Sequence, residues 1–373
     1  MRIIYFIADS SHSGAPVHVA DCIKGLARYP GYDIHLIAPA GWLIESSKRY
    51  AHCHTISIAS VLSSGAQKLL VNAFQKLSVD NSDKTVVHIH GVRAGLFSYL
   101  SLHKFGPLHR PYTLVYTEHL YTKDYSLKNP LRGKLQKMML RRWLRMVDHV
   151  IAVSHAVENF LLDVMHIPVS RISVIHNGVV LPKKYAHPAT SNPIIGSIGS
   201  LNHIKGYEDL IIAMRFVRQK IPGVQCEIIG TGALQKTLNK QIKKLRLTDS
   251  VHLIGQPQSI DDHLSSWQLF VSTSYSESFG IAVAQAMAHK LPVIAYKVGG
   301  LPELISKESG RFIKKGDTFG LALTIENMLR NPDTLGSLGE AGFAHIQTFF
   351  TVDIMVDALR ALYTQQIQLH ATT

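Results

Sequence analysis

Two kinds of apolar patterning alternate along the chain. Short runs rich in β-branched residues recur through the first half as "RIIYFIA", "DIHLIAP", "TVVHIHG", "YTLVYTEH", "HVIAVS" and "ISVIHNG". The second half repeats the habit with "PIIGSIGS", "VQCEIIG", "VHLIG", "LFVSTS" and "LPVIAY". Amphipathic stretches of helical period separate these runs. Continuous apolar runs of this length, bounded by helices, predict parallel strands buried on both faces, hence α/β architecture in each half. The longest polar, Pro-containing stretch between two strands is "LPKKYAHPATSNP", residues 181–193, and it predicts the linker. The expected organisation is therefore a first doubly wound domain over 1–185 and a second over 186–350. A terminal helix over 351–373 would pack on the domains. Its apolar positions Val352, Met355, Val356, Leu359, Leu362 and Tyr363 form one helical stripe. Two such domains would hold ligands in a cleft at their strand carboxyl ends.

Length supports this division, because 373 residues is long for a single core. No apolar stretch reaches the length of a membrane span. The opening "MRIIYFIADS" is too short an apolar run for a signal peptide and reads as a first strand. Cys22, Cys53 and Cys226 are odd in number and far apart, which argues against a disulfide framework and for a reducing, cytoplasmic setting. Net charge changes the picture more. It is +13, an excess that favours anionic partners such as nucleic acid, acidic lipid or phosphorylated substrates. Between Lys104 and Arg145 stand ten Lys/Arg against two acids, Glu118 and Asp124. Within that region "LRGKLQKMMLRRWLRMV" interleaves Leu131, Leu135, Met138, Met139, Trp143 and Leu144 with the basic residues. Two readings fit: a surface helix with Trp143 at a membrane interface, or a buried helix with a solvated basic back. The first is the expectation carried forward. No nucleic-acid-binding module is recognisable, so nucleic acid is not an expected partner.

Candidate chemistry clusters in the second half. "GSIGSLNHIKG" follows a strand; Gly196 and Gly199 read as turn residues, and Lys205 with Gly206 stands at a helix start, a setting suited to a diphosphate. Such turns are common and this one is weak evidence alone. "SYSESFGIAVAQAMA" leads from the strand "LFVSTS" into an Ala-rich helix. The backbone N–H groups of Phe279, Gly280 and Ile281 would head that helix, and Glu277 would either accept from sugar hydroxyls or merely complement the helix dipole. In the first half, Gly14 closes the loop after the first strand and His119 ends the strand "YTLVYTEH". A histidine there is either structural or catalytic. His52-Cys53-His54 and His88-Ile89-His90 alternate as strands do and lack a second pair at ligand spacing, so no metal site is expected.

Together these segments resemble the retaining glycosyltransferases of the GT-B fold, family 4. The resemblance runs over nearly the whole chain, from "SHSGAPVHVADCIKGLA" through "VVHIHG", "YTEH", "VDHVIAVSHAV" and "ISVIHNGV" to "GSIGSLNHIKGYEDLIIAM" and "CEIIGTGALQKTL". Its most specific block is "SYSESFGIAVAQAMAHKLPVIAYKVGGLPELI". The resemblance implies that Lys205 neutralises the donor diphosphate and that Glu277 lies beside the donor sugar. It places the backbone of Phe279, Gly280 and Ile281 near sugar and phosphate, position 285 at the ribose, and the Gly14 loop by diphosphate and acceptor. His119 would sit close to the reacting sugar. Such enzymes need no bound metal or other cofactor; the nucleotide-sugar is a co-substrate.

Two departures stand out: Ser200 where the family usually has arginine, and Gln285 where it usually has glutamate. Both predict a weakened nucleotide grip. The resulting expectation is a UDP-sugar-dependent transferase acting on a glycan or polyprenyl-diphosphate-linked acceptor in polysaccharide or lipopolysaccharide synthesis, at the inner face of the cytoplasmic membrane. The alternatives are another GT-B enzyme, such as a sugar-nucleotide epimerase or a phosphorylase, and a non-catalytic glycan- or nucleotide-binding subunit.

Overall fold

The computed structural model describes residues 1–58, 62–78, 84–106, 110–119, 130–185 and 192–371. The chain divides into two compact units, Met1–Gly178 with Val352–Thr373, and Val179–Thr351. The division thus falls at 178/179 rather than 185/186. The terminal helix belongs to the first unit. Of the expected linker, residues 186–191 lie outside the described residues.

In the first unit seven strands pair in parallel: β1 (Arg2–Ile7), β2 (Asp33–Ala38), β3 (His52–Thr55), β4 (Thr85–His90), β5 (Thr113–Glu118), β6 (His149–Ala152) and β7 (Ile172–Val174). Their order is β3-β2-β1-β4-β5-β6-β7, with the register Arg2↔Asp33 on one side of β1 and Arg2↔Thr85 on the other. Helices α1 (Gly14–Leu26), α2 (Trp42–Ser47), α3 (Ser64–Ser78), α4 (Val92–Phe105), α5 (Pro130–Met146) and α6 (His155–Asp163) make the connections. The central strands are buried along their length, β4 and β5 at every position. That burial is why they read as unbroken apolar runs. The edge strand β3, "HCHT", is largely exposed, so it carries no apolar run for sequence reading to find.

The second unit repeats the arrangement with β8 (Ile194–Ile198), β9 (Gln225–Ile229), β10 (Val251–Gly255), β11 (Leu269–Ser272), β12 (Val293–Tyr296) and β13 (Gly310–Ile313). Their order is β10-β9-β8-β11-β12-β13, all parallel. Its helices are α7 (Tyr207–Lys220), α8 (Gln235–Lys244), α9 (Ile260–Ser266), α10 (Ile281–Ala288), α11 (Leu301–Leu304), α12 (Thr318–Leu329) and α13 (Pro332–Phe349). Each sheet reverses direction of growth once, at β1/β4 and at β8/β11. Loops leaving the carboxyl ends at such a reversal part from one another and leave a crevice for ligands.

The last helix, α14 (Val352–Ala371), buries the whole predicted stripe from Val352 to Tyr363 in the core beside α1. Tyr363 goes deepest: its hydroxyl lies 3.1 Å from that of Tyr5 and 2.6 Å from His88 Nδ1.

Two expectations need correction. Trp143 is completely buried and meets Tyr116 edge-on, with ring centroids 5.9 Å apart. It anchors α5 in the core together with Leu140 and Leu144 and is not at a membrane interface. The indole offers more apolar area than any neighbour on that helix, so the core takes it first. Gly196 is the second case. It lies inside β8, not in a turn, and a Cβ there would overlap the six-membered ring of Trp267. Glycine at 196 is what lets the indole lie on the sheet.

Candidate active site

Within the second unit, two loops leave the strands at the β8/β11 reversal. The first, after β8, passes through Ser200 into a 3-10 turn, His203–Lys205, which Asn202 caps by accepting from the Ile204 N–H. Gly206 then starts α7. The second loop, after β11, runs from Thr273 to Gly280 and feeds α10. The two are tied together at the backbone. The Tyr275 N–H donates to Ile204 O at 2.7 Å, and Thr273 Oγ1 donates to Lys205 O at 3.0 Å.

This tie delivers Lys205 Nζ directly to Glu277 Oε1. Residues 72 apart in sequence thus form an ion pair, with side chains 22% and 16% exposed. That degree of burial strengthens the attraction over a surface pair while leaving both heads accessible to a ligand. Ser274 Oγ donates to the same carboxylate oxygen at 2.8 Å. Beneath the loop, Asp209 accepts from the hydroxyls of Tyr275 (2.8 Å) and Tyr296 (2.9 Å), whose rings stack with planes 3° apart.

Glu277 is also held from behind. The Gly300 N–H donates to Glu277 O at 3.1 Å. Gly299, in the left-handed region at φ +51°, passes so close that a Cβ would fall within the van der Waals envelope of that oxygen. The "VGG" turn therefore seats the Glu277 loop through contacts that only glycine permits. Sequence reasoning assigned Gly299 no role. The Gly-Gly pair was in view, but its contact with Glu277 is a tertiary one.

The remaining predicted residues of this unit lie on these two loops and on α10. Gly280 is the N-cap of α10 and Ile281 its first residue, so their amides belong to the turn that lacks intrahelical acceptors. Phe279 turns its ring inward, 5.6 Å from that of Phe350, leaving its backbone to serve the loop. Gln285 stands one helical turn beyond Ile281, half-buried, and its side-chain amide makes no hydrogen bond among the described residues. Ser200 is exposed at the mouth of the first loop.

In the first unit, the loop after β1 is knitted by Asp9. It accepts from the Ser11 N–H (2.9 Å), Ser11 Oγ (3.0 Å) and Ser13 Oγ (3.1 Å). Ser13 is the N-cap of α1 and Gly14 its first residue. An open cavity of about 850 Å³ borders this loop, walled by Asp9, Ser11, Trp42, Thr55 and Arg93 among others. The ring of Trp42 faces His12 at 4.3 Å. Asp9, Trp42 and Arg93 carried no signal in the sequence, since each gains its place only through the fold.

His119, just past β5, lies with its Nε2 3.1 Å from His90 Nδ1. Its ring meets that of His18 edge-on at 5.0 Å. Burial pushes His18 down to about 4 and holds His90 and His119 well below the ordinary imidazole range. All three are thus neutral at pH 7.

Two family models match consecutive parts of the chain: Glycosyltransferase Family 4 over residues 12–182 and Glycosyl transferases group 1 over residues 182–345. Among curated relatives, N-acetyl-alpha-D-glucosaminyl L-malate synthase of Bacillus anthracis is 22% identical over 352 residues, covering 89% of each chain. Among solved structures, sucrose-phosphate synthase from Thermosynechococcus elongatus superposes with a TM-score of 0.82 at 20% identity, covering 100% of both chains. HepE of Anabaena, solved in complex with UDP and glucose, gives a TM-score of 0.79 at 19% identity, covering 98% of this chain and 99% of that one.

Proposed function

Since the chain belongs to the GT-B glycosyltransferases, resembling family 4 members, we propose that it transfers a sugar, with retention, from a UDP-sugar to a glycan or polyprenyl-diphosphate-linked acceptor. The observation that carries this reading is the Lys205–Glu277 pair set before the first turn of α10. An ammonium and a helix N-terminus side by side suit a diphosphate, and a half-buried carboxylate suits sugar hydroxyls. On binding, the diphosphate takes Lys205 from Glu277, and the sugar's hydroxyls donate to the freed carboxylate oxygen. As the anomeric C–O bond to the diphosphate breaks, charge grows on the departing phosphate oxygen. The acceptor hydroxyl oxygen bonds the anomeric carbon on the same face, and its proton passes to that phosphate oxygen. On this reading Lys205 and the α10 amides would meet the growing charge, and no metal is called for in transfer. HepE was solved with UDP bound, which supports the choice of nucleotide.

The first unit is proposed to take the acceptor, with Gly14, His119 and the cavity beside Trp42 and Arg93 on its side of the reaction. The basic back of α5 supports an acceptor at an anionic membrane surface. Lys134, Lys137, Arg141, Arg142 and Arg145 lie together around Met138, and Leu135 and Met138 are exposed among them. Of the other basic residues of that stretch, Lys123 and Lys128 lie outside the described residues. No helix of the described chain is long and apolar enough to span a membrane, so such contact would be peripheral.

The test is nucleotide release by purified protein across UDP-, GDP- and ADP-sugars, with and without a lipid-linked acceptor extract. Acceptor-stimulated release from a UDP-sugar, lost in Glu277→Ala and weakened in Lys205→Ala, is the expected result. Release without acceptor that requires inorganic phosphate would indicate a phosphorylase instead. Nucleotide binding with no turnover in any condition would indicate a binding subunit.

A further inference from the structure

The sequence offered no histidine pair at metal-ligand spacing, yet the fold assembles a histidine trio from three separate elements of the first unit. His18 comes from the second turn of α1, His90 from the last position of β4, and His119 from the residue after β5. One ring nitrogen from each lies within 4.8 Å of the other two. The closest pair, His90 Nδ1 and His119 Nε2, is 3.1 Å apart. Nitrogens bound to one zinc at about 2.0–2.1 Å stand roughly 3.3 Å apart in a tetrahedron, so this edge already has the span of two adjacent ligands. The third nitrogen lies within 4.8 Å of both and would have to close to that span.

The hydrogen bonding points the same way. His18 Nδ1 and His90 Nε2 are buried and have no hydrogen-bond partner among the described residues. The other nitrogen of His18 lies 3.5 Å from Cys22 Sγ, which leaves Nδ1 as the one with an idle lone pair or proton. Buried ring nitrogens are ordinarily paired, and the unpaired His18 Nδ1 calls for an explanation. His90 meets His119 through Nδ1, so its Nε2 would stay unligated. His119 is the least buried of the trio, which gives a fourth ligand, water or an anion, an approach from solvent.

We propose that His18, His90 and His119 form a binding site for a single transition-metal ion of the zinc class. Three neutral imidazoles without a carboxylate favour Zn²⁺, Co²⁺, Ni²⁺ or Cu²⁺ over Mg²⁺ and Ca²⁺, which take oxygen ligands. Occupancy engages His119, so on the reading of function given above the ion inhibits transfer instead of assisting it. The site itself does not depend on that reading, and its test is read without activity.

The experiment uses full-length, tag-free protein, stripped with a chelator and titrated with Zn²⁺, and separately with Co²⁺ as a visible probe. One equivalent bound, with the intense visible absorption of tetrahedral Co²⁺, is expected. His18→Asn should weaken Zn²⁺ binding at least tenfold. A rival site exists at the exposed β3 edge, where His54 Nε2 lies 3.1 Å from His35 Nδ1 and His52 stands beside them. The double variant His52→Ala/His54→Ala should keep the tight equivalent. Loss of binding there with retention in His18→Asn overturns the proposal, as does the absence of any stoichiometric Zn²⁺ binding. Should His18→Asn not fold, zinc X-ray absorption on the double variant His52→Ala/His54→Ala decides: three imidazole ligands support the site, and fewer, or a sulfur ligand from Cys22, overturn it.

Discussion

Replacing Gly299 with alanine tests whether the "VGG" turn seats Glu277. The substitution has two separable costs. Gly299 sits at φ +51°, where an L-residue is strained by about 1–2 kcal/mol. Its new Cβ would also meet the Glu277 backbone oxygen far inside the 3.0 Å that real Cβ atoms keep. The Glu277 loop would have to withdraw by about 1 Å, and a misplacement of that size costs on the order of 10²-fold in rate. Gly316 supplies the control. It too is left-handed, at φ +82°, but a Cβ there meets nothing within 4 Å. Gly316→Ala should therefore lose about 1–2 kcal/mol of stability with unaltered turnover. Gly299→Ala should lose at least as much stability and about a hundredfold in kcat/KM. The assay is UDP release from the UDP-sugar found active in the donor panel, with thermal unfolding of both variants alongside. Equal turnover in the two variants would refute the argument, because backbone strain is common to both and only the collision differs.

Gln285→Glu should tighten UDP binding by about 2- to 30-fold, the difference between a neutral and a charge-assisted hydrogen bond. Calorimetry showing unchanged or weaker binding would separate position 285 from the ribose. Trp143→Ala should cost about 3–5 kcal/mol by opening a cavity, whereas Lys134→Glu with Lys137→Glu should leave the melting temperature intact and abolish sedimentation with anionic vesicles. The opposite pattern would return Trp143 to a surface role. The first unit should also be acid-labile. His18 and His149 are buried and held near 4 by burial, against about 6.5 in the unfolded chain. The unfolded state therefore binds more protons below pH 6.5, and stability is greatest above that value. It falls as pH drops toward 4, by roughly 3 kcal/mol for each group. A melting temperature flat between pH 7.5 and 5 would contradict this, and His149→Gln should lessen the slope.

What the sequence determined by itself was the set of elements that announce their own burial. β4 and β5 are covered on both faces, so their apolar runs are continuous. The stripe from Val352 to Tyr363 has a helix period because one face of α14 meets the core. Loop chemistry was legible too, since Lys205 and Glu277 each follow a strand and precede a helix. Edge strands β3 and β13 escaped notice because half-covered or very short strands need no such pattern. Only the tertiary structure could decide which distant residues meet. It joined Lys205 to Glu277, set Gly299 behind that carboxylate, and drew His18, His90 and His119 together from three elements. It also chose between the two readings of α5, turning Trp143 into the core and the lysines outward. A helical period says that one face is buried, but an aromatic flanked by basic residues fits either face. Packing chose by the apolar area each face could cover.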